Sequence, residues 1–119
     1  MKITSTFALI TLLFFAAESF AKRIPAPDVA PVVHAGVRYV APNDDGRREY
    51  IEAWNVATTN KVWELTIRRN FINPLLEEDV QWAYINRLQM TNGVLIVSDE
   101  RGRSYAVDLK KRSAEKVGK

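Results

Sequence analysis

The sequence predicts an all-β domain: an antiparallel meander of six or seven strands that forms a small barrel or a two-layer sandwich. Residues 61–69 alternate apolar and polar side chains, the period of two that marks a half-buried strand. Asn92-Gly93 is the strongest short signal for a hairpin turn. Beyond residue 21 the apolar residues are mainly Trp, Tyr, Val, Ile and Leu, an inventory that suits strands. Because tight turns join strands that are neighbours in a sheet, a meander follows.

Residues 1–21 have the pattern of a secretory signal peptide, so we expect a secreted or periplasmic protein after cleavage near Ala21. Lys2 supplies the positive start, and residues 7–17 are apolar apart from one threonine. The alternative is a buried N-terminal helix, which the uniformly apolar run and the break after it disfavour. The run is shorter than the ~20 residues of a membrane span, and no second run follows, so the mature chain is predicted to have no span.

Composition argues against several kinds of site. The chain has no cysteine, which removes disulfides, thiol catalysis and thiolate metal ligands. Its single histidine, His34, has no partner for a zinc site or a catalytic triad. The formal net charge of +3, with both signs interspersed, is ordinary surface chemistry rather than a nucleic-acid footprint. We therefore predict no metal, no cofactor, no catalytic residue and no nucleic-acid partner.

The mature chain is predicted to divide into a leader and one domain. Residues 22–33 form a Pro-rich leader, because prolines at positions 25, 27 and 31 exclude a helix and a central strand. Residues 34–119 form a single β domain. Its first two strands are expected at 36–41 and 47–56, joined by a turn at 42–46 that contains proline and glycine.

One short helix is predicted near residues 74–79. Asn73 suits a helix cap and Pro74 suits the first helical position, with three acidic residues following in the first two turns. The alternative is an ordered loop that holds Leu75 and Leu76 against the sheet.

The C-terminal part returns to a period of two. Strands are expected at 80–90, 94–98 and 103–109, and a short edge strand at 113–117 would be the seventh. Three tryptophans are expected to fill the core: Trp54, Trp63 and Trp82.

Two stretches, 36–69 and 93–117, repeat one pattern. Each begins with a glycine and a strand, continues through an acidic turn that contains glycine to a second strand, and ends in Ala-x-Asn/Asp-aliphatic before a polar turn. Gly36 aligns with Gly93, and the Ala-x-Asn motif at residue 53 aligns with Ala-x-Asp at residue 106.

This pattern resembles the quinoprotein-type (PQQ-like) β-propeller repeat, over roughly two-thirds of the mature chain. Matching residues of the first copy are Gly36, Tyr39, Ala53, Trp54, Asn55, Val56, Thr58, Trp63 and Glu64, and those of the second are Gly93, Val97, Asp99, Gly102, Tyr105, Ala106, Asp108 and Leu109. Departures are Asn55 for the family's aspartate, Thr59 for its turn glycine and Lys111-Arg112 for Thr-Gly. The resemblance implies blade-like sheets and a scaffold or binding role; it implies no quinone cofactor, because two units cannot close a ring of about four to eight blades.

Several arginines are candidate contacts for an anionic partner, provided that a curved sheet brings them together. The same residues would also suit exposed strand edges, where positive charge blocks aggregation. The candidates are Arg47, Arg48, Arg68, Arg69, Arg101 and Arg103.

The residues therefore indicate an exported small β-rich binding or structural module, not an enzyme, whose partner is another protein, an anionic polymer or a second copy of itself. One alternative is a subunit that pairs through an exposed sheet edge with itself or with a larger protein. The other is a carboxylate-dependent hydrolase using Glu77, Glu78 and Asp79, although no set of nucleophile, base and orienting residue is visible.

Overall fold

The computed structural model describes residues 25–118 as two four-stranded antiparallel sheets. In each sheet, strands that are neighbours in sequence are neighbours in space. The first sheet contains β1 (Val32–His34), β2 (Val37–Val40), β3 (Arg48–Asn55) and β4 (Lys61–Arg69). The second contains β5 (Ile85–Thr91), β6 (Val94–Asp99), β7 (Ser104–Asp108) and β8 (Ser113–Lys116).

The predicted all-β, antiparallel class is confirmed, and two details differ. The described residues form eight strands rather than six or seven, and the two sheets do not close into a barrel. The predicted signal peptide lies outside the described residues. No helix within residues 25–118 is long and apolar enough to cross a membrane.

The additional strand is β1, which lies partly inside the range assigned to the leader. It has only three residues and follows Pro31, so no alternating pattern could reveal it. Ala35 and Gly36 both have positive φ, 51° and 77°, and form a tight turn that folds β1 back onto β2. The glycine that was expected to open the first strand therefore belongs to this turn.

The core lies between the two sheets. Ile51 and Ala53 of β3 are buried, and Leu65 and Trp63 of β4 lie opposite them in the register and pack against the same cluster. The second sheet supplies five buried side chains: Ile85, Leu88, Leu95, Val97 and Val107. Strand β1 lies beside β5 and β4 beside β8, so the sheets stack with their strands in the same order.

The tryptophans contribute less to this core than predicted, since all three are only half-buried. Trp63 packs at the edge of the core, with its ring centroid 5.9 Å from that of Tyr39. Trp54 has the opposite parity to Ile51 and Ala53 in β3, and its indole nitrogen donates a hydrogen bond to Glu52 at 3.0 Å. The two strand faces are both partly apolar, so the sequence pattern did not distinguish the buried one.

The predicted helix at 74–79 is wrong: this segment is a turn, followed by one 3-10 turn at Asp79–Gln81. The Asn73 side chain accepts a hydrogen bond from the Leu75 amide at 2.9 Å, as expected of a cap, but no helix follows. The side chain of Gln81 bonds the amide and carbonyl of Asn73 and the carbonyl of Glu77. These backbone groups are therefore satisfied without a helix.

The strand predicted at 80–90 begins only at Ile85. Its register shifts between Ile85 and Arg87, which places Asn86 in a bulge. The bulge reverses the side-chain parity, so Ile85 and Leu88 are both buried even though one position is odd and the other even.

Candidate functional site

The residues between β4 and β5 expose an unusual set of apolar side chains. Phe71 is 81% exposed, Leu75 89%, Leu76 60% and Val80 59%. We call residues 70–82 the connecting loop, because it joins the two sheets. The alternative prediction, that Leu75 and Leu76 pack against the sheet, is wrong. Large apolar side chains grouped on one surface segment commonly mark a site of interaction.

The connecting loop is held in one shape by the side chain of Gln81. The Gln81 carbonyl oxygen accepts a hydrogen bond from the Asn73 amide at 2.7 Å. Its amide nitrogen donates to the carbonyl of Asn73 at 3.1 Å and to that of Glu77 at 2.8 Å. One glutamine side chain therefore ties together the start, middle and end of the loop without using the loop's apolar side chains.

The base of the connecting loop is fixed to the first sheet. The Asn70 side chain donates to the carbonyl of Gly46 at 2.9 Å and to that of Ala83 at 3.1 Å. The Trp82 ring packs directly on Gly46, where a Cβ atom would lie 2.2 Å from Trp82 Cγ. Only glycine allows this contact, so the start of β5 is positioned by a residue near the start of β3.

An ion pair closes the outer side of the base. Arg47 donates two hydrogen bonds to the carboxylate of Glu78, at 2.7 and 2.8 Å, and the Trp82 indole nitrogen donates a third at 3.0 Å. The hydrogen bond from Arg47, with a smaller contribution from that of Trp82, lowers the pKa of Glu78 to about 2. The pair is well exposed, so it orients the loop more than it stabilises the fold.

The six candidate arginines all lie at this end of the molecule. Arg48 is opposite Arg69 in the β3–β4 register, and Arg68 is opposite Glu49. Arg101 donates to the Trp82 carbonyl at 3.3 Å. Their role as contacts for an anionic partner stays a prediction, and the groups that bind several of them within the chain were not predicted.

Three of the six arginines are engaged by carboxylates within the chain. Besides the Arg47 pair, Arg48 bonds Glu64 at 2.9 Å and stacks over the Tyr50 ring, 3.7 Å from its centroid. Arg103 reaches both Asp99 and Glu49, at 2.8 and 3.2 Å. Among residues 25–118, no ion pair is formed by the other three: Arg68, Arg69 and Arg101. The cationic surface is therefore smaller than the sequence suggests.

A buried pair of carboxyl groups links the two sheets near the same end. Glu49 of β3 and Asp99 of β6 are both buried, and Arg103 contacts both. Burial, together with the neighbouring Asp99 carboxylate, raises the pKa of Glu49 to about 8. Burial opposes ionisation of Asp99 too, but hydrogen bonds from Arg103 outweigh it and leave the pKa of Asp99 below its usual value. The pair was missed in the sequence, although Glu49 shares the parity of Ile51 and Ala53.

Other candidate chemistry stays dispersed. Within the described part of the chain, no group of three or more His, Asp or Glu side chains could hold a metal ion. His34 is exposed at the end of β1. A cavity of about 590 Å³ lies beside the β7–β8 turn, but the Asp108 carboxylate that lines it is bonded to the amides of Lys110 and Lys111.

Comparison with known proteins adds no family: no protein-family model matches the chain, and no curated protein matches it significantly.

Proposed function

We propose that the chain is an exported, small β-rich binding module that contacts another protein through the connecting loop. The supporting observation is that four large apolar side chains are exposed on a segment that internal hydrogen bonds hold in one shape. The engaged arginines favour this surface over the anionic-polymer alternative, because half of the expected positive charge is neutralised internally.

The energetics favour the loop as the centre of a contact. Burying one leucine or phenylalanine against a partner contributes about 1.5–3 kcal/mol. Because the Gln81 bonds already fix the loop, binding loses little conformational entropy on ordering it. Exposed apolar anchors surrounded by charged groups are also the usual composition of an interface centre and its rim.

The PQQ-like resemblance supports a scaffold role for the two sheets. In each sheet, an Asx side chain organises the turn after the third strand. Asn55 accepts from the amides of Ala57 and Thr58, and its carbonyl accepts from Thr59 at 2.8 Å. Asp108 accepts from the amides two and three residues later, and its carbonyl accepts from Arg112 at 2.7 Å. We infer that both sheets are blade-like units of one repeated design.

The two alternatives have less support. The exposed edge strand β4 carries Lys61, Glu64 and Arg68, and charged side chains on an edge oppose pairing with another strand. For a hydrolase, Glu78 would need a free carboxyl group, but Arg47 and Trp82 occupy it and keep it ionised. We therefore propose no enzymatic activity.

Site-specific photo-crosslinking in cells that produce the protein tests this proposal. A photoreactive residue is introduced at Phe71, Leu75 or Leu76, and as a control at Val33, an apolar residue of β1 that is 62% exposed. We expect protein adducts from the three loop positions and none from Val33. Equal labelling at all four positions, or none at the loop, would contradict the proposal.

A further inference from the structure

We propose that the partner is a second copy of this chain, with the connecting loops of the two copies packed against each other across a two-fold axis. This inference rests on the proposed function of the loop as a contact surface. Three features argue for it: the charges around the loop, the size of the apolar patch and the fact that a two-fold contact stops assembly at two copies.

The charges around the connecting loop are self-complementary. The carboxylates of Glu77 and Asp79, on the loop, make no ion pair among residues 25–118. Arg68 and Arg69, immediately before the loop, make none in the same part of the chain, and both are exposed. An acidic or a basic partner would match only one of these sets, whereas a second copy related by a two-fold axis offers arginines to the carboxylates and carboxylates to the arginines.

The apolar patch has a size that suits a weak dimer. Together its four side chains expose an area on the order of 500 Å². Two copies facing each other would bury about 1,000 Å² in total, the lower limit for a specific interface. We therefore expect a reversible dimer rather than an obligate one.

A two-fold contact would also limit the assembly to two copies. An isologous interface uses the same surface on both copies, so each loop is covered once and no further copy can add. A head-to-tail contact from the same loop to another surface would leave a loop exposed at each end and allow growth into filaments.

Sedimentation equilibrium of the mature chain over a wide concentration range tests the apolar part of the contact. We expect a monomer–dimer equilibrium for the natural sequence. Leu75→Ser and Leu76→Ser should each raise the dissociation constant about tenfold or more, because each removes one buried leucine. Val33→Ser, at an exposed position on β1, should leave it unchanged. Circular dichroism checks that every variant is folded.

Charge reversal tests the two-fold arrangement. In the proposed dimer, Arg69 of each copy faces Glu77 of the other, so the contact occurs twice. Arg69→Glu and Glu77→Arg should each weaken the dimer, because each variant places like charges opposite one another at both contacts. An equimolar mixture of the two variants should associate again, because the altered residues then face opposite charges. Failure of the mixture to associate, or dimers that ignore the leucine variants, would overturn the inference. A chain that stays monomeric at all concentrations but gives loop adducts with a different protein would overturn the inference and leave the proposed function standing.

Discussion

At the scale of single residues, each of the two Asx-organised turns holds a non-glycine residue in the left-handed conformation. Thr59 has φ of 58° and Arg112 has φ of 55°, and each accepts this conformation at the end of an Asx-organised turn. These are the positions at which the resembling repeat has glycine. A residue with a Cβ atom is disfavoured there by about 1–2 kcal/mol.

Thr59→Gly should therefore stabilise the protein. Removing the left-handed strain stabilises the folded state by more than the extra conformational entropy of glycine stabilises the unfolded chain. The free energy of unfolding therefore rises by about 0.5–1 kcal/mol. Thr58→Gly, one residue earlier and not at positive φ, is the matched control and should destabilise by a similar amount. Urea unfolding of both variants measures the difference; a loss of stability in both would show that Thr59 carries no strain.

At the scale of elements, strands with a strong local signal were predicted best. Lys61–Arg69 is a strand, as its alternation predicted, and the Asn92-Gly93 turn joins β5 and β6. The predictions that failed also have local causes. Strand β1 is too short to show an alternating pattern, and the bulge at Asn86 reverses the alternation within β5. Where a helix was predicted, the side chain of Gln81 bonds the backbone groups instead.

The candidate site was less predictable from the sequence, because the residues that pair with one another there are distant along the chain. The arginine positions could be named, but Arg47 pairs with a residue 31 positions away and Arg103 with one 54 positions away. Nothing local distinguishes these from solvated charges. The exposed apolar side chains of the connecting loop left a weaker signal: the strand alternation stops at Asn70 while leucine and phenylalanine continue.

The carboxyl pair between the sheets predicts how stability depends on pH. A carboxyl whose pKa is raised by folding keeps its proton where the unfolded chain has lost it. Glu49 has an ordinary pKa of 4.5 and a folded pKa of about 8, so stability falls as pH rises across this range. The slope approaches about 1.4 kcal/mol per pH unit. Asp99, with its pKa lowered, acts in the opposite sense and only below its ordinary value of 3.8.

Glu49→Gln should flatten this dependence, because the amide remains neutral. Glu115→Gln, on the exposed strand β8, removes a carboxylate elsewhere and should leave the slope intact. Urea unfolding between about pH 5 and pH 8 measures both variants. Stability of the natural sequence that rises with pH in this window would refute the assignment of a protonated Glu49.

At the scale of the whole molecule, two similar sheets stack through their apolar faces and leave one long connection between them. The connection is fixed at its base by Gly46, Trp82 and the Arg47–Glu78 pair, and inside by Gln81. Its apolar side chains contribute little to the core of the monomer. The described residues thus expose a group of large apolar side chains on the connection between the two sheets.

We expect this surface to have a fixed shape before any partner binds. Backbone order parameters from nitrogen relaxation of residues 71–80 in the monomer test it most directly. We expect values near those of the strands, about 0.85, and values below about 0.6 once Gln81→Ala removes the internal hydrogen bonds. Values below about 0.6 in the natural sequence would contradict the claim, because the exposed side chains would then have no fixed arrangement to recognise.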